Sequence, residues 1–173
     1  MTLNNELLID AAGDNDLTLI NKLLSRGADV NVCDESGTQT PLISAVTNGH
    51  PEAVALLASQ PSCNINFETS DGYTVLIWAS IYFHPEIVRT LLQHGALIDY
   101  ETKTGKTALI AASLFGEVSA VQMLLSAGAM VDYRTKDEEN SALLCAAKNG
   151  HINIVKALIR GYDINLHNNR YTY

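Results

Sequence analysis

Basic residues are scarce in this chain. Its 173 residues hold 11 Lys and Arg against 19 Asp and Glu, a formal charge of −8. A general binder of phosphate backbones draws its affinity from Lys and Arg, so no nucleic-acid partner is expected. Charged residues reach only 17% and aromatics 6%, while 47% are hydrophobic. That composition excludes disorder, which goes with low hydrophobicity and high charge. The three cysteines, Cys33, Cys63 and Cys145, cannot all pair and form no CxxC ligand pair. Free thiols in a reducing compartment are the simple reading, so a cytoplasmic or other intracellular location is expected. No basic segment followed by an apolar stretch opens the chain, which argues against a secretory signal. The longest apolar stretch, around residues 75–83, falls short of the ~20 residues that a bilayer span needs, so no membrane insertion is expected.

What the sequence does contain is repetition. Alanines recur at Ala11, Ala45, Ala79, Ala112 and Ala146, spaced by 34, 34, 33 and 34 residues. A leucine-rich pair recurs as Leu23-Leu24, Leu56-Leu57, Leu91-Leu92, Leu124-Leu125 and Leu158-Ile159. Gly-Ala stands at residues 27–28, 95–96 and 128–129, and Asn31, Asn66, Asp99, Asp132 and Asn165 end the successive periods. Such self-similarity decides the architecture before any local reading.

Each period reads alike. A turn-prone segment such as residues 27–31 leads into Asp, Ser, Thr, Lys and Gly, which is hairpin chemistry. Thr40, Thr74, Thr107 and Ser141 then stand before apolar runs as N-caps, and Pro41 fits a first helical position. A short Ala- and Leu-rich helix follows, stopping near Gly49, Gly116 or Gly150. A second helix begins at once, with Pro51 and Pro85 near its start, and ends at the next Gly.

This helix–turn–helix–hairpin period resembles the ankyrin repeat. The matching stretches include GTQTPLISAVTNGHPEAVALLASQ, GYTVLIWASIYFHPEIVRTLLQHGALID, GKTALIAASLFGEVSAVQMLLSAGAMVD and NSALLCAAKNGHINIVKALIRGYDIN. The resemblance implies an all-α ankyrin solenoid with β-hairpin fingers in a single domain, residues 1–173. Its repeats would be about 3–33 (a degenerate N-terminal cap), 34–66, 67–99, 100–132 and 133–165. Residues 166–173 would begin a further, truncated repeat. No polar capping helix follows Asn165, so a longer protein is expected.

The chain departs from the family pattern where Ile43, Ile77, Ile110 and Leu144 replace the His of the TPLH segment. That His ordinarily ties neighbouring turns, so looser or more apolar fingers are expected here. Gly105-Lys106-Thr107 imitates the end of a phosphate-binding loop, but the Gly needed five residues before Gly105 is Tyr100. His50, His84 and His151 share one repeat position and are read as turn residues, too far apart for one metal. No catalytic constellation stands apart from the repeat, so no enzyme activity, cofactor or metal is expected.

The resemblance places recognition on a concave face built from the fingers and inner helices. The pairs there are Gly13-Asp14, Thr47-Asn48, Ile81-Tyr82, Leu114-Phe115 and Lys148-Asn149. Ile81, Tyr82, Leu114 and Phe115 form an apolar centre within polar ends, as interfaces commonly do. Phe67, Tyr100 and Tyr133 follow the terminal polar residues, and Tyr73 precedes an N-cap. These rings either stack on one another or meet a partner, and Trp78 is read as core or as a contact. With Lys148 they complete the expected partner-binding set. Asn31, Asn66 and Asn165 match a family position open to asparaginyl hydroxylation.

The expected function is therefore protein–protein recognition by a monomer. Residues 1–99 carry −9 and residues 100–173 carry +1, so the partner would bring an apolar or aromatic anchor and a basic flank towards the acidic half. The alternative reading is an N-terminal targeting or substrate-recruiting part of a larger multidomain enzyme or secreted bacterial effector. Its catalytic part would lie beyond residue 173, and it would act in a host cytoplasm.

Overall fold

The structure of the protein, a computed structural model, describes residues 3–82, 84–133 and 141–169, the stretch 162–169 as backbone only. The chain divides into two compact units, Met1–Leu97 and Ile98–Tyr173. The first holds α1 (Leu3–Gly13), α2 (Leu17–Ser25), α3 (Pro41–Thr47), α4 (Pro51–Ala58), α5 (Val75–Ile81) and α6 (Pro85–Gln93). The second holds α7 (Ala108–Phe115), α8 (Val118–Ser126), α9 (Ala142–Lys148) and α10 (Ile152–Asn169). The fold is all-α and repetitive, and Glu68 and Thr74 form an isolated antiparallel bridge within a finger.

The inner helices start where the capping residues predict. The side-chain oxygens of Thr40, Thr74, Thr107 and Ser141 accept from the backbone N–H three residues on, at 3.2–3.4 Å. Each satisfies a donor that the first turn of a helix leaves orphaned. Pro41, Pro51 and Pro85 begin α3, α4 and α6, where a missing N–H costs nothing. At the other end, Gly49 and Gly116 adopt φ of +73° and +84°. A β-carbon there would also meet the rings of His84 and His151 at 2.8 and 2.7 Å. Glycine is thus required both for the left-handed turn and for the approach of the following histidine.

Within the first unit α3 packs on α1, α4 and α5, and α4 on α6; within the second, α7 packs on α8 and α9, and α10 on both α8 and α9. The buried positions follow the repeat. Leu23, Leu57, Leu91, Leu124 and Leu158 are all buried, each twelve residues after its repeat alanine, and those alanines are buried too. Histidine ties successive turns: the His50 Nε2–H donates to the Gly13 carbonyl (2.9 Å) and the His151 Nε2–H to the Leu114 carbonyl (3.2 Å). Burial, reinforced by the nearby His50, lowers the His84 pKa, which favours its neutral form.

One expectation fails at the end of the second unit. A helix stop at Gly161 and a turn at residues 163–165 were expected, but α10 runs on to Asn169. Gly27, Gly95 and Gly128 end their helices with φ of +83° to +93°, whereas Gly161 stays outside that region. The physical difference is packing: a β-carbon at Gly161 would lie 3.2–3.4 Å from Leu125 and Val131. Gly161 lets the helix backbone press on those side chains, and Tyr162 replaces the alanine that follows the other glycines.

Candidate functional site

The fingers are closed by side chains at one repeated place. Asp34 accepts from the Thr38 and Gln39 backbone N–H groups at 2.8 and 2.9 Å, and from the Ser36 hydroxyl. Burial alone would raise its pKa, but hydrogen bonds from Ser36, Gln39, Thr38 and Cys33 outweigh that and hold it at about 2. Thr69 and Thr102, at the matching positions, are buried. Each donates its backbone N–H to the carbonyl four residues on, that of Tyr73 or Lys106, at 2.9 Å. Their hydroxyls accept from the same residues' N–H groups. Ser70 ties its finger to the preceding one, N–H to the Gly37 carbonyl and hydroxyl to the Ser36 carbonyl, both 2.8 Å. The looser, more apolar fingers expected from the missing family histidine are thus replaced by polar closure. The recurrence of Asp34, Thr69 and Thr102 three residues after Asn31, Asn66 and Asp99 was the available signal.

The polar residues at the period ends bridge repeats. The Asn31 amide donates to the Ser62 carbonyl (2.6 Å) and accepts from the Asn64 N–H (2.7 Å). Asn66 does the same with the Gly95 carbonyl and the Leu97 N–H, at 3.2 and 2.9 Å. Asp99 accepts from the Met130 N–H at 2.9 Å; burial raises its pKa, partly offset by that bond. The Asn165 side chain lies outside the described residues.

In the first unit the expected partner-binding residues Tyr73 and Tyr82 are joined through Trp78. The Tyr73–Trp78 centroids are 4.7 Å apart and the Trp78–Tyr82 centroids 5.7 Å, both stacked. His84 extends the row beyond Tyr82 at 6.5 Å. Tyr82 remains 50% exposed, and Ile81 and Phe67 are half-buried. The Trp78 indole Nε1–H is buried without an acceptor. The i, i+4 spacing of Trp78 and Tyr82 made their meeting legible; the return of Tyr73 needed the finger geometry.

In the second unit Leu114 is 38% and Phe115 50% exposed at the end of α7. Lys148, at the matching place on α9, is also exposed, and Tyr100 is half-buried. Tyr133 is half-buried, and its hydroxyl donates to Glu101 Oε2 at 2.7 Å. That bond, then burial, raises the Tyr133 pKa.

Burial pushes the Cys63 thiol up to about 11 and also raises Cys33 and Cys145, so the thiolate nucleophile is scarce at neutral pH. Among the described residues, no group of three His, Cys, Asp or Glu side chains is placed to hold a metal. No helix of the described residues is long and apolar enough to cross a membrane.

The chain matches the family model for ankyrin repeats (three copies) over residues 8–103 and 97–168. It is 32% identical over 95 residues to an ankyrin repeat protein of Acanthamoeba polyphaga mimivirus. That match covers 53% of this chain and 58% of the viral protein, so the chain spans somewhat over half the length of that relative.

Proposed function

Since the chain belongs to the ankyrin repeat family, whose members are generally protein-interaction modules, we propose that it binds a partner protein without catalysing a reaction. Binding uses the finger side of the inner helices within each unit. The observation that carries this reading is the exposure of Tyr82 and Phe115 where the other repeats have Asp14, Asn48 and Asn149, with the exposed Leu114 beside Phe115. Exposed aromatic and aliphatic groups at otherwise polar places are the usual anchors of an interface. Ile81, Phe67, Tyr73, Tyr100, Tyr133 and Lys148 flank these anchors in their respective units.

The charge distribution supports a partner of stated polarity. Residues 1–97 hold eleven acids and three bases, and residues 98–173 hold eight of each, so the whole charge of −8 lies in the first unit. A basic flank of the partner faces that unit, which steers association and makes it sensitive to salt. Three free cysteines support a reducing compartment for the encounter. Asn31 and Asn66 are proposed as hydroxylation positions; incubation with an asparaginyl hydroxylase and mass spectrometry, finding neither modified, would remove them.

The test is affinity capture of the partner by wild type and by Tyr82→Ala/Phe115→Ala. The double variant keeps the wild-type unfolding midpoint and loses the partner, because truncating a buried interface anchor costs ~2 kcal/mol or more. Equal capture by both proteins contradicts the proposal.

A further inference from the structure

Three rings of the first unit come from one repeat, and the repeat itself requires none of them. Trp78 stands where α3, α7 and α9 carry Ser44, Ala111 and Cys145. Tyr73 stands where Gln39 and Lys106 precede the other caps, and Tyr82 where Asp14 and Asn48 stand in the preceding repeats. The three rings are nearly parallel, at 28° and 19° to one another, and His84 continues the row at 22°. The Trp78 Nε1–H has no acceptor there, so the ring is held at the expense of a hydrogen bond. Tyr82, at the end of α5, is the exposed member of the row.

The row continues into the preceding repeats of the same unit. The His84 ring lies against the turn after α3, where a β-carbon on Gly49 would meet it. One repeat earlier, a β-carbon on Gly13 would lie 3.4 Å from Asn48 Nδ2. Asp14, Asn48 and Tyr82 therefore follow one another along the ends of α1, α3 and α5, and all three are exposed. The Asn48 amide N–H donates to the Ser44 carbonyl at 2.9 Å, which leaves the amide oxygen as an acceptor.

Charge is sorted between the elements of this unit. Its three bases, Lys22, Arg26 and Arg89, belong to the second helices of their repeats, Arg26 as the cap that ends α2. The inner helices α1, α3 and α5, with the fingers at residues 27–40 and 59–74, hold seven acids and no base, and Asp14 stands just beyond α1. A nearly parallel aromatic row among acid-bearing, base-free elements suits a guanidinium, which is planar, weakly hydrated and stacks on ring faces. Burial and the nearby His50 hold His84 towards its neutral form, so the row brings no charge of its own against a cation.

We propose that the first unit reads an extended segment of the partner through two basic side chains, an arginine laid on the Tyr82 ring and a second cation at Asp14. Helices packed side by side lie ~8–10 Å apart, so two steps separate these groups by ~16–20 Å. An extended chain covers that distance in about five or six residues. Between the two cations, a backbone N–H of the segment donates to the Asn48 amide oxygen. The proposal rests on the protein-binding reading above and makes the anchor at Tyr82 cationic instead of apolar. Leu114 and Phe115 take no part in it.

The probe is the peptide acetyl-Arg-Gly-Ser-Gly-Ser-Gly-Arg-amide, titrated into the full chain. Trp78 is the only tryptophan of the chain, so its fluorescence reads the row directly. The emission changes saturably below ~10 mM peptide, a range in which a few weak contacts register. Affinity falls as salt rises from ~0.1 to ~1 M. Citrulline in place of both arginines keeps the shape, removes the charge and abolishes saturation. Tyr82→Leu keeps an apolar side chain without the ring and weakens binding ~5- to 30-fold, as loss of a cation–π contact does. Tyr82→Phe binds as wild type does, and Asp14→Asn binds more weakly with a smaller dependence on salt. A peptide with its arginines adjacent also binds more weakly. The protein-binding reading is tested separately, by capture of the partner with Tyr82→Ala/Phe115→Ala, and stands or falls on that result alone. No saturable change, equal binding of the citrulline or adjacent-arginine peptide, or wild-type affinity in Tyr82→Leu or Asp14→Asn overturns the proposal.

Discussion

Helices α7 and α9 begin alike, with Ala108-Leu109-Ile110 and Ala142-Leu143-Leu144 after a capping hydroxyl. In α7 both large side chains are buried; in α9 both are exposed. Residue type and local conformation are nearly the same, so what separates them is the neighbour. α7 has α9 packed against it, and no described helix packs on the far side of α9. In a repeat array, stability is roughly a sum of local terms and neighbour terms. The same leucine is core in one repeat and surface in the next. The two compact units differ in a second way: all of the net charge lies in the first, where the exposed Tyr82 joins a stacked aromatic row, whereas the second exposes Leu114 and Phe115.

The sharpest way to break the first comparison is truncation of the matched leucines. Leu109→Ala should cost ~2–5 kcal/mol, as cavities in packed cores do. Leu143→Ala should stay within ~0.5 kcal/mol, as exposed substitutions usually do. Leu124→Ala, fully buried on α8, belongs with the first. Urea denaturation of the three variants gives the comparison directly; equal losses at residues 109 and 143 would dissolve it.

Caps come next in size. Thr107 is buried and caps α7, whereas Ser141 is half-buried and caps α9. Losing a capping hydroxyl costs ~0.5–2 kcal/mol, so Thr107→Ala should fall near the upper end and Ser141→Ala near the lower. The order of the two denaturation midpoints is the observable, and a reversed order counts against the neighbour argument.

Another effect has the opposite sign. Ser80 on α5 and Ser113 on α7 hold equivalent, fully buried positions. The Ser80 hydroxyl donates to the Leu76 carbonyl at 2.7 Å, and the Ser113 hydroxyl has no partner. A buried unsatisfied polar group costs ~1–3 kcal/mol, so Ser113→Ala should raise the thermal midpoint while Ser80→Ala should not. A fall in the midpoint of Ser113→Ala would show that the hydroxyl is satisfied.

The smallest effect concerns the first unit in acid. Asp34 titrates at about 2 in the fold against an ordinary value of 3.8. Its folded pKa is depressed, so its stabilisation is complete above 3.8 and is lost as pH falls from there through about 2. Asp34→Asn should flatten the dependence of the unfolding midpoint on pH across that window. An unchanged slope would place the acid sensitivity elsewhere.

Much of this architecture was legible because the repeat is written in small, specific signals. Thr before an apolar run, Pro at a first turn and Gly at a left-handed stop each act through a single residue, and each appears at its expected place except at Gly161. The half-exposed Tyr82 and Phe115 were legible by register alone. What escaped depended on contacts between distant residues. Gly161 looks like its counterparts in sequence, yet Leu125 and Val131 pack against it and the helix continues. Closure of the fingers by Thr69 and Thr102 left its signal in their recurrence, but threonine there reads as generic turn chemistry and the signal was passed over. The meeting of Tyr73 with Trp78 required the finger to fold back on the helix. The exposure of Leu143 has no mark in its own repeat; the one signal was that no polar capping helix is read after Asn165.

Amide hydrogen exchange, resolved by residue, tests the neighbour argument most directly. Opening free energies range from near zero at frayed ends to the global value in the core. Helices α9 and α10 from residue 142 to residue 159 should exchange well before α3, α4, α7 and α8. Protection through Ile159 equal to that of α7 and α8 would contradict the account.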